Sequence, residues 1–243
     1  MSQPEVLVHD SADALAEAVA SRLVEVLAAA QDAGRVPQLA LTGGTVAAKI
    51  HERVRDRAAD RVDWSQVELW WGDERFVPVE DPDRNARQVA EALLDHVPVD
   101  PTRVHPMPAS DGGHGRLEQA AAAYAEELRA RGSGGFDVVM LGVGPDGHVA
   151  SLFPGYPQLD RDDAIAVAVT DSPKPPSDRI TLTFPALNRT SQVWFVVSGE
   201  GKADAVGRAL GAPTPDVHDV PAVGVHGQDA TVWFLDRGSA SRL

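Results

Sequence analysis

Residues 141–155 read "LGVGPDGHVASLFPG" and place an acid, Asp146, and a base, His148, in one glycine-rich turn. Histidine changes charge near neutral pH, which suits it to take a proton from water or return one to a leaving group. The same stretch contains a G-x-G-x-x-G spacing (Gly142, Gly144, Gly147) directly after the apolar run "FDVVM". A dinucleotide site with that spacing needs a crossover helix next and an acidic residue ending the following strand. Here Pro145 sits inside the turn, only "HVASLF" separates Gly147 from Pro154, and "YPQLD" offers no strand ending in an acid. The glycines therefore read as a turn that presents Asp146 and His148, not as a nucleotide fingerprint.

Three further turns carry groups suited to an anion. "LALTGGT" ends an apolar run in Gly43 and Gly44, with backbone N–H groups and a hydroxyl (Thr42 or Thr45) at the start of a helix. Unpaired donors and the helix dipole favour a phosphate there, although the Walker A lysine is missing. "WFVVSGEGK" ends in a similar turn and supplies Lys202 as a point charge. "ELWWGDER" gathers Asp73, Glu74 and Arg75, read as an arginine held by carboxylates and aimed at an oxyanion or phosphate. Arg179, after the Pro-rich "SPKPPS" at 172–177, is another candidate anion contact, and the Pro-rich segment itself reads as a stiff flap or wall.

The elements that must position these turns follow from periodicity. Ser11 can N-cap a long helix whose apolar face runs through Leu15, Val19, Leu23 and Leu27, closed by Gly34. "RNARQVAEALLDHV" and the Ala-rich "GRLEQAAAAYAEELRARG" read as helices, and "FDVVML", "AIAVAV", "RITLTF", "VWFVVS" and "TVWFL" as buried strands. Helices alternating with non-alternating apolar strands predict an α/β fold: an open, mostly parallel sheet with helices on both faces. In such a sheet the strands' C-terminal ends share one edge, so the four turns are expected to converge on a single crevice. No repeat or long linker divides the chain, which reads as one domain over residues 1–243.

Composition narrows the partners. A formal net charge of −14 argues against nucleic acid binding through a broad basic surface, yet leaves room for a small anion if a few cations gather locally. The chain has no cysteine, which removes thiol nucleophiles, disulfides and zinc fingers and fits a reducing, cytoplasmic setting. The other seven histidines show no metal-ligand spacing such as H-E-x-x-H, so neither a metal nor a cofactor is expected. The first ten residues do not read as a signal peptide, and no apolar run approaches a membrane span.

Taken together, "LTGGT", "WWGDERFVP", "RNARQ", "FDVVMLGVGPDGHVASLFPG", "SPKPPSDRITLTFPALN" and "VSGEGKADAV" resemble the 6-phosphogluconolactonase family, in order and over nearly the whole chain. The first turn reads "GGTVA" where many relatives have G-G-S-T-P, and Arg84 stands before Asn85 where a small polar residue is expected. The resemblance implies a modified Rossmann-like fold and hydrolysis of 6-phospho-D-glucono-1,5-lactone in the oxidative pentose phosphate pathway. It puts the essential histidine on His148 and the essential arginine on Arg75. Phosphate contacts would fall on Gly43, Gly44, Thr45, Arg179 and Lys202. On this reading His148 activates water for attack on the lactone carbonyl, with Asp146 or Asp73 orienting the site, and Arg75 stabilises the oxyanion or steers the substrate. The partner is then a phosphosugar lactone, acted on by a monomer or small homo-oligomer. The alternatives are an amino-sugar-phosphate isomerase or deaminase, and a non-catalytic sugar-phosphate effector domain. The former's D-G-H-x-A-F-N-E continues to a carboxylate, where this chain has "DGHVASLFP". The latter lacks a helix-turn-helix segment ahead of the domain in this sequence.

Overall fold

The computed structural model describes residues 3–57 and 61–243. In chain order the elements are β1 (Glu5–His9), α1 (Ala12–Asp32), β2 (Gln38–Leu41), α2 (Thr45–Arg57), β3 (Glu68–Trp71), β4 (Asp73–Arg75), α3 (Asn85–Ala92) and α4 (Leu117–Arg131). They continue with β5 (Phe136–Leu141), β6 (Ala166–Val169), β7 (Arg179–Leu182), α5 (Phe184–Leu187), β8 (Thr190–Val197), α6 (Ala203–Leu210) and β9 (Ala230–Asp236). Six strands form a wholly parallel sheet in the order β1-β9-β8-β5-β2-β3. Strands β4, β7 and β6 form a separate antiparallel sheet.

The expected α/β class is therefore observed, with a refinement. "RITLTF" and "AIAVAV" leave the parallel sheet, and "ELWWGDER" supplies one strand to each sheet. Gly72 is the switch: its N–H bonds Leu41 of β2 at 3.1 Å, while its carbonyl accepts from Leu182 of β7 at 2.9 Å. One peptide thus serves both sheets, and the residues after it, Asp73 to Arg75, are turned over the C-terminal edge of the first. A strand at the N-terminus, β1, was also not legible, because it is a half-exposed edge with Val6 and Val8 facing solvent.

The helices follow their sequence signals. Ser11 accepts a hydrogen bond from the Ala14 N–H at 3.2 Å and caps α1, whose Leu15, Val19, Leu23 and Leu27 are fully buried. Gly34, at φ +72°, takes the left-handed turn that closes the helix. No helix among the described residues is long and apolar enough to cross a membrane.

One core residue breaks the apolar pattern. His51 lies on the buried face of α2 beside Ile50 and Val54, with Nε2 unpaired. Burial holds its pKa down at about 4, because the imidazolium cannot be solvated there. The unfolded chain, with an ordinary histidine, binds the proton first as pH falls. Stability is thus fully present above about pH 6.5 and is lost as pH drops towards 4, by about 3 kcal/mol in total. We expect His51→Leu to flatten this part of the pH dependence. Urea midpoints for the two proteins between pH 7 and 4.5 check it, and identical slopes would refute it.

Candidate active site

The four turns meet as anticipated. A cavity of about 500 Å³ lies at the C-terminal ends of β2, β3, β5 and β8, and all four turns line it. Gly43, Gly44, Thr45, Asp73, Arg75, His148, Arg179 and Lys202 all line this cavity, whereas Asp146 stands behind His148 and Glu74 is buried away from it.

The turn after β5 is held by short-range bonds. Gly147 N–H reaches Gly144 O at 3.0 Å, Gly144 N–H reaches His148 O at 2.9 Å, and Val143 bridges Val149. Two of the three glycines are required. Gly147 sits at φ +89°, and a Cβ on Gly144 would overlap His148 Nδ1 and Cε1 and Asp146 Oδ1. A Cβ on Gly142 would meet nothing. No crossover helix follows Gly147, and the next strand, β6, belongs to the other sheet.

His148 Nδ1 is 2.5 Å from Asp146 Oδ1, and its ring packs on Phe153 at 4.6 Å between centroids. Partial burial pushes the Asp146 carboxyl up, but the hydrogen bond to His148 and the charges of His148 and Lys174 hold it well below the usual carboxylate range. An ionised Asp146 accepts the proton on Nδ1, which fixes the tautomer and leaves Nε2 as the basic nitrogen. Of the two carboxylates considered for this task, Asp146 is the one in contact. Asp73 instead accepts from Ser151 Oγ at 2.6 Å and from Asn85 Nδ2 at 3.4 Å.

Arg75 is not clamped by carboxylates, contrary to the expectation from "GDER". Its Nη1 donates to Asp83 O at 2.8 Å and to Asn85 Oδ1 at 2.5 Å, and its buried Nε has no partner. Glu74 is committed elsewhere. Fully buried, it accepts the N–H groups of Arg75, Asn85 and Ala86 at 2.7–2.8 Å, satisfying the start of α3. Burial raises its pKa, while Arg84, 3.9 Å away, and those N–H groups oppose the rise. This gives Arg84 its place: the side chain is buried as counter-ion to Glu74 and donates to Met107 O at 2.7 Å.

Asn85 is a residue that sequence reasoning missed. It lines the cavity, holds Arg75, donates to Asp73 O at 2.9 Å, and packs where a Cβ on Gly43 would be. Its neighbour Gly44, at φ +102°, leads into Thr45 at the N-terminus of α2. Lys202 ends a single 3₁₀ turn before α6. Asp236 anchors that turn through Ser198 Oγ at 2.6 Å and Gly199 N–H at 3.0 Å. Burial and the like charge of Lys174 lower the Lys202 pKa.

Arg179 faces Arg75 across the β4–β7 pair. Its Nε donates to Pro176 O at 3.1 Å, and Nη2 to Lys174 O at 3.0 Å and Pro175 O at 3.3 Å. Half of the guanidinium thus builds the Pro-rich wall, and Nη1 is the nitrogen left for a ligand. The wall also brings in Lys174, a second cavity-lining residue that sequence reasoning missed. Lys49, Arg75, Lys174, Arg179 and Lys202 line the cavity against one lining carboxylate, Asp73. An acidic chain thereby holds a cationic pocket. No cluster of three or more His, Asp or Glu among the described residues is placed to hold a metal ion.

With a charged cavity and an Asp146–His148 pair in place, comparison with known proteins decides the family. Residues 10–233 match the model for glucosamine-6-phosphate isomerases/6-phosphogluconolactonase. The chain belongs to this family. A 6-phosphogluconolactonase of Streptomyces coelicolor is 44% identical over 99% of the chain and 95% of its own length. One from Mycobacterium tuberculosis is 45% identical over 97% of each. The crystal structure of 6-phosphogluconolactonase from Thermotoga maritima superposes with a TM-score of 0.84 at 25% identity, covering 96% of this chain and all of that one. That solved structure thus shares the overall fold described above over nearly the whole chain.

Proposed function

We propose that the chain hydrolyses 6-phospho-D-glucono-1,5-lactone to 6-phospho-D-gluconate, the lactone-opening step of the oxidative pentose phosphate pathway. One observation carries the reading: an aspartate-oriented histidine opens onto a cavity lined by five cationic side chains. His148 Nε2 takes a proton from water as its oxygen attacks the lactone carbonyl. Arg75, one of the cations lining the cavity, stabilises the oxyanion that forms. Collapse breaks the bond from the carbonyl carbon to the ring oxygen, and His148 returns its proton to that oxygen. Gly43, Gly44, Thr45, Arg179 and Lys202 hold the phosphate, so binding energy from the far end of the sugar orients the ester. No cofactor enters this scheme. The enzyme works as one domain over residues 1–243, as a monomer or small homo-oligomer in the cytoplasm.

The isomerase branch of the family is the competing reading. Where its motif runs on to a carboxylate, this chain buries Ser151 against Asp73 and packs Leu152 and Phe153 into the interior. The deciding assay supplies fresh 6-phospholactone and subtracts spontaneous hydrolysis. We expect rapid enzymatic opening and no ammonia from glucosamine 6-phosphate. Ammonia release without lactone opening would reverse the assignment.

A further inference from the structure

Lys174 is held in an unusual way: its backbone is pinned while its side chain is not. The carbonyl accepts from Arg179 Nη2 and from Ser172 Oγ, both at 3.0 Å. The side chain is 40% exposed and reaches into the cavity, with Nζ 3.6 Å from Asp146 Oδ1 and 3.3 Å from His148 Nδ1. These contacts compete. A ring nitrogen that donates its proton to Asp146 cannot also accept from an ammonium. A cation beside the imidazole opposes the positive charge that His148 gains when it takes a proton from water. It also shares the carboxylate that would stabilise that charge.

The other groups facing Lys174 are Lys202, which its charge reaches across the cavity, and the guanidinium of Arg179 beneath it. A phosphate dianion held at Lys202 is therefore a stronger partner for Lys174 than the single charge of Asp146. We propose that Lys174 couples phosphate binding to catalysis: its ammonium leaves Asp146 and His148 for the substrate's phosphate, and Asp146 is then left to His148 alone. This rests on the lactonase reading and adds a reason why the phosphate, remote from the reacting ester, should speed the chemical step.

The test separates the two halves of the substrate. Unphosphorylated D-glucono-1,5-lactone is supplied with increasing inorganic phosphate, and the enzyme-free rate at each concentration is subtracted. Competition by phosphate against 6-phospholactone shows that the anion fills the site. We expect phosphate to accelerate opening of the unphosphorylated lactone about tenfold or more in the wild type and not at all in Lys174→Met. A thermal transition checks that the variant is folded. No competition, no acceleration in the wild type, or equal acceleration in Lys174→Met would overturn the coupling. Turnover of 6-phospholactone by the wild type is read separately, so failure of the coupling is distinguishable from failure of the lactonase reading.

Discussion

His148→Ala is expected to lower kcat for 6-phospholactone by about 10²–10⁴, the usual worth of a positioned general base. Water would still reach the carbonyl, and the cations would still bind phosphate, so KM should move far less than kcat. The fold should survive. The side chain is 15% exposed at the cavity wall, and its packing partner Phe153 stays supported by Tyr156, 5.6 Å away between ring centroids. Because the lactone opens spontaneously, the measurement must use initial rates on fresh substrate, with the uncatalysed rate removed, alongside a thermal melt. A folded variant with kcat within a fewfold of wild type would remove His148 from the mechanism and return the role of base to some other group.

The legible part of this site is the part that local sequence encodes. Each of the four turns follows an apolar strand within a few residues, and strand direction in a parallel sheet sends them all to one edge. His148, Arg75 and Lys202 could be placed at the cavity for that reason, whereas Arg179 opens β7 of the antiparallel sheet. What stayed hidden depends on contacts between distant segments. Lys174 reaches His148 only because Arg179 and Ser172 hold the Pro-rich segment against the cavity, and "SPKPPS" alone shows stiffness without direction. Asn85 looked like the start of a helix, which it is, but its side chain faces back to Gly43 and Arg75. Its signal was the missing Cβ at Gly43, which no single sequence reveals as a vacancy for a particular partner.

The carboxylates of "GDER" misled for a related reason. Adjacent acid and base residues suggest an ion pair, but alternation along β4 sends Glu74 inward to the backbone of α3, while Arg75 emerges on the other face. The two sheets were likewise merged in the sequence reading, since buried antiparallel strands and buried parallel strands have the same composition. Gly72, where the chain changes sheets, is marked as a switch only by its bonds to β2 and β7.

Gly144→Ala should be nearly as damaging to turnover as removing the histidine, although it adds only one methyl group. That methyl would occupy the space of His148 Nδ1 and Cε1 and Asp146 Oδ1, so the hydrogen bond that orients the base cannot persist in its present geometry. The obstacle is not the far end of a flexible chain but the Asp146–His148 pair itself. Relief by backbone movement would cost about 1–3 kcal/mol in stability and still misplace Nε2. Gly142→Ala is the internal comparison. Its Cβ would meet nothing, and its φ is not in the left-handed region, so it should fold normally and keep a turnover far above that of Gly144→Ala. If both Gly144→Ala and His148→Ala act by destroying one Asp146–His148 unit, their losses cannot multiply. The double variant should be no slower than the worse single, as with residues that work only together. A double variant slower than His148→Ala by the full Gly144→Ala factor would show that the glycine serves something other than this pair. A Gly144→Ala enzyme with wild-type kcat would show that the close approach does not matter.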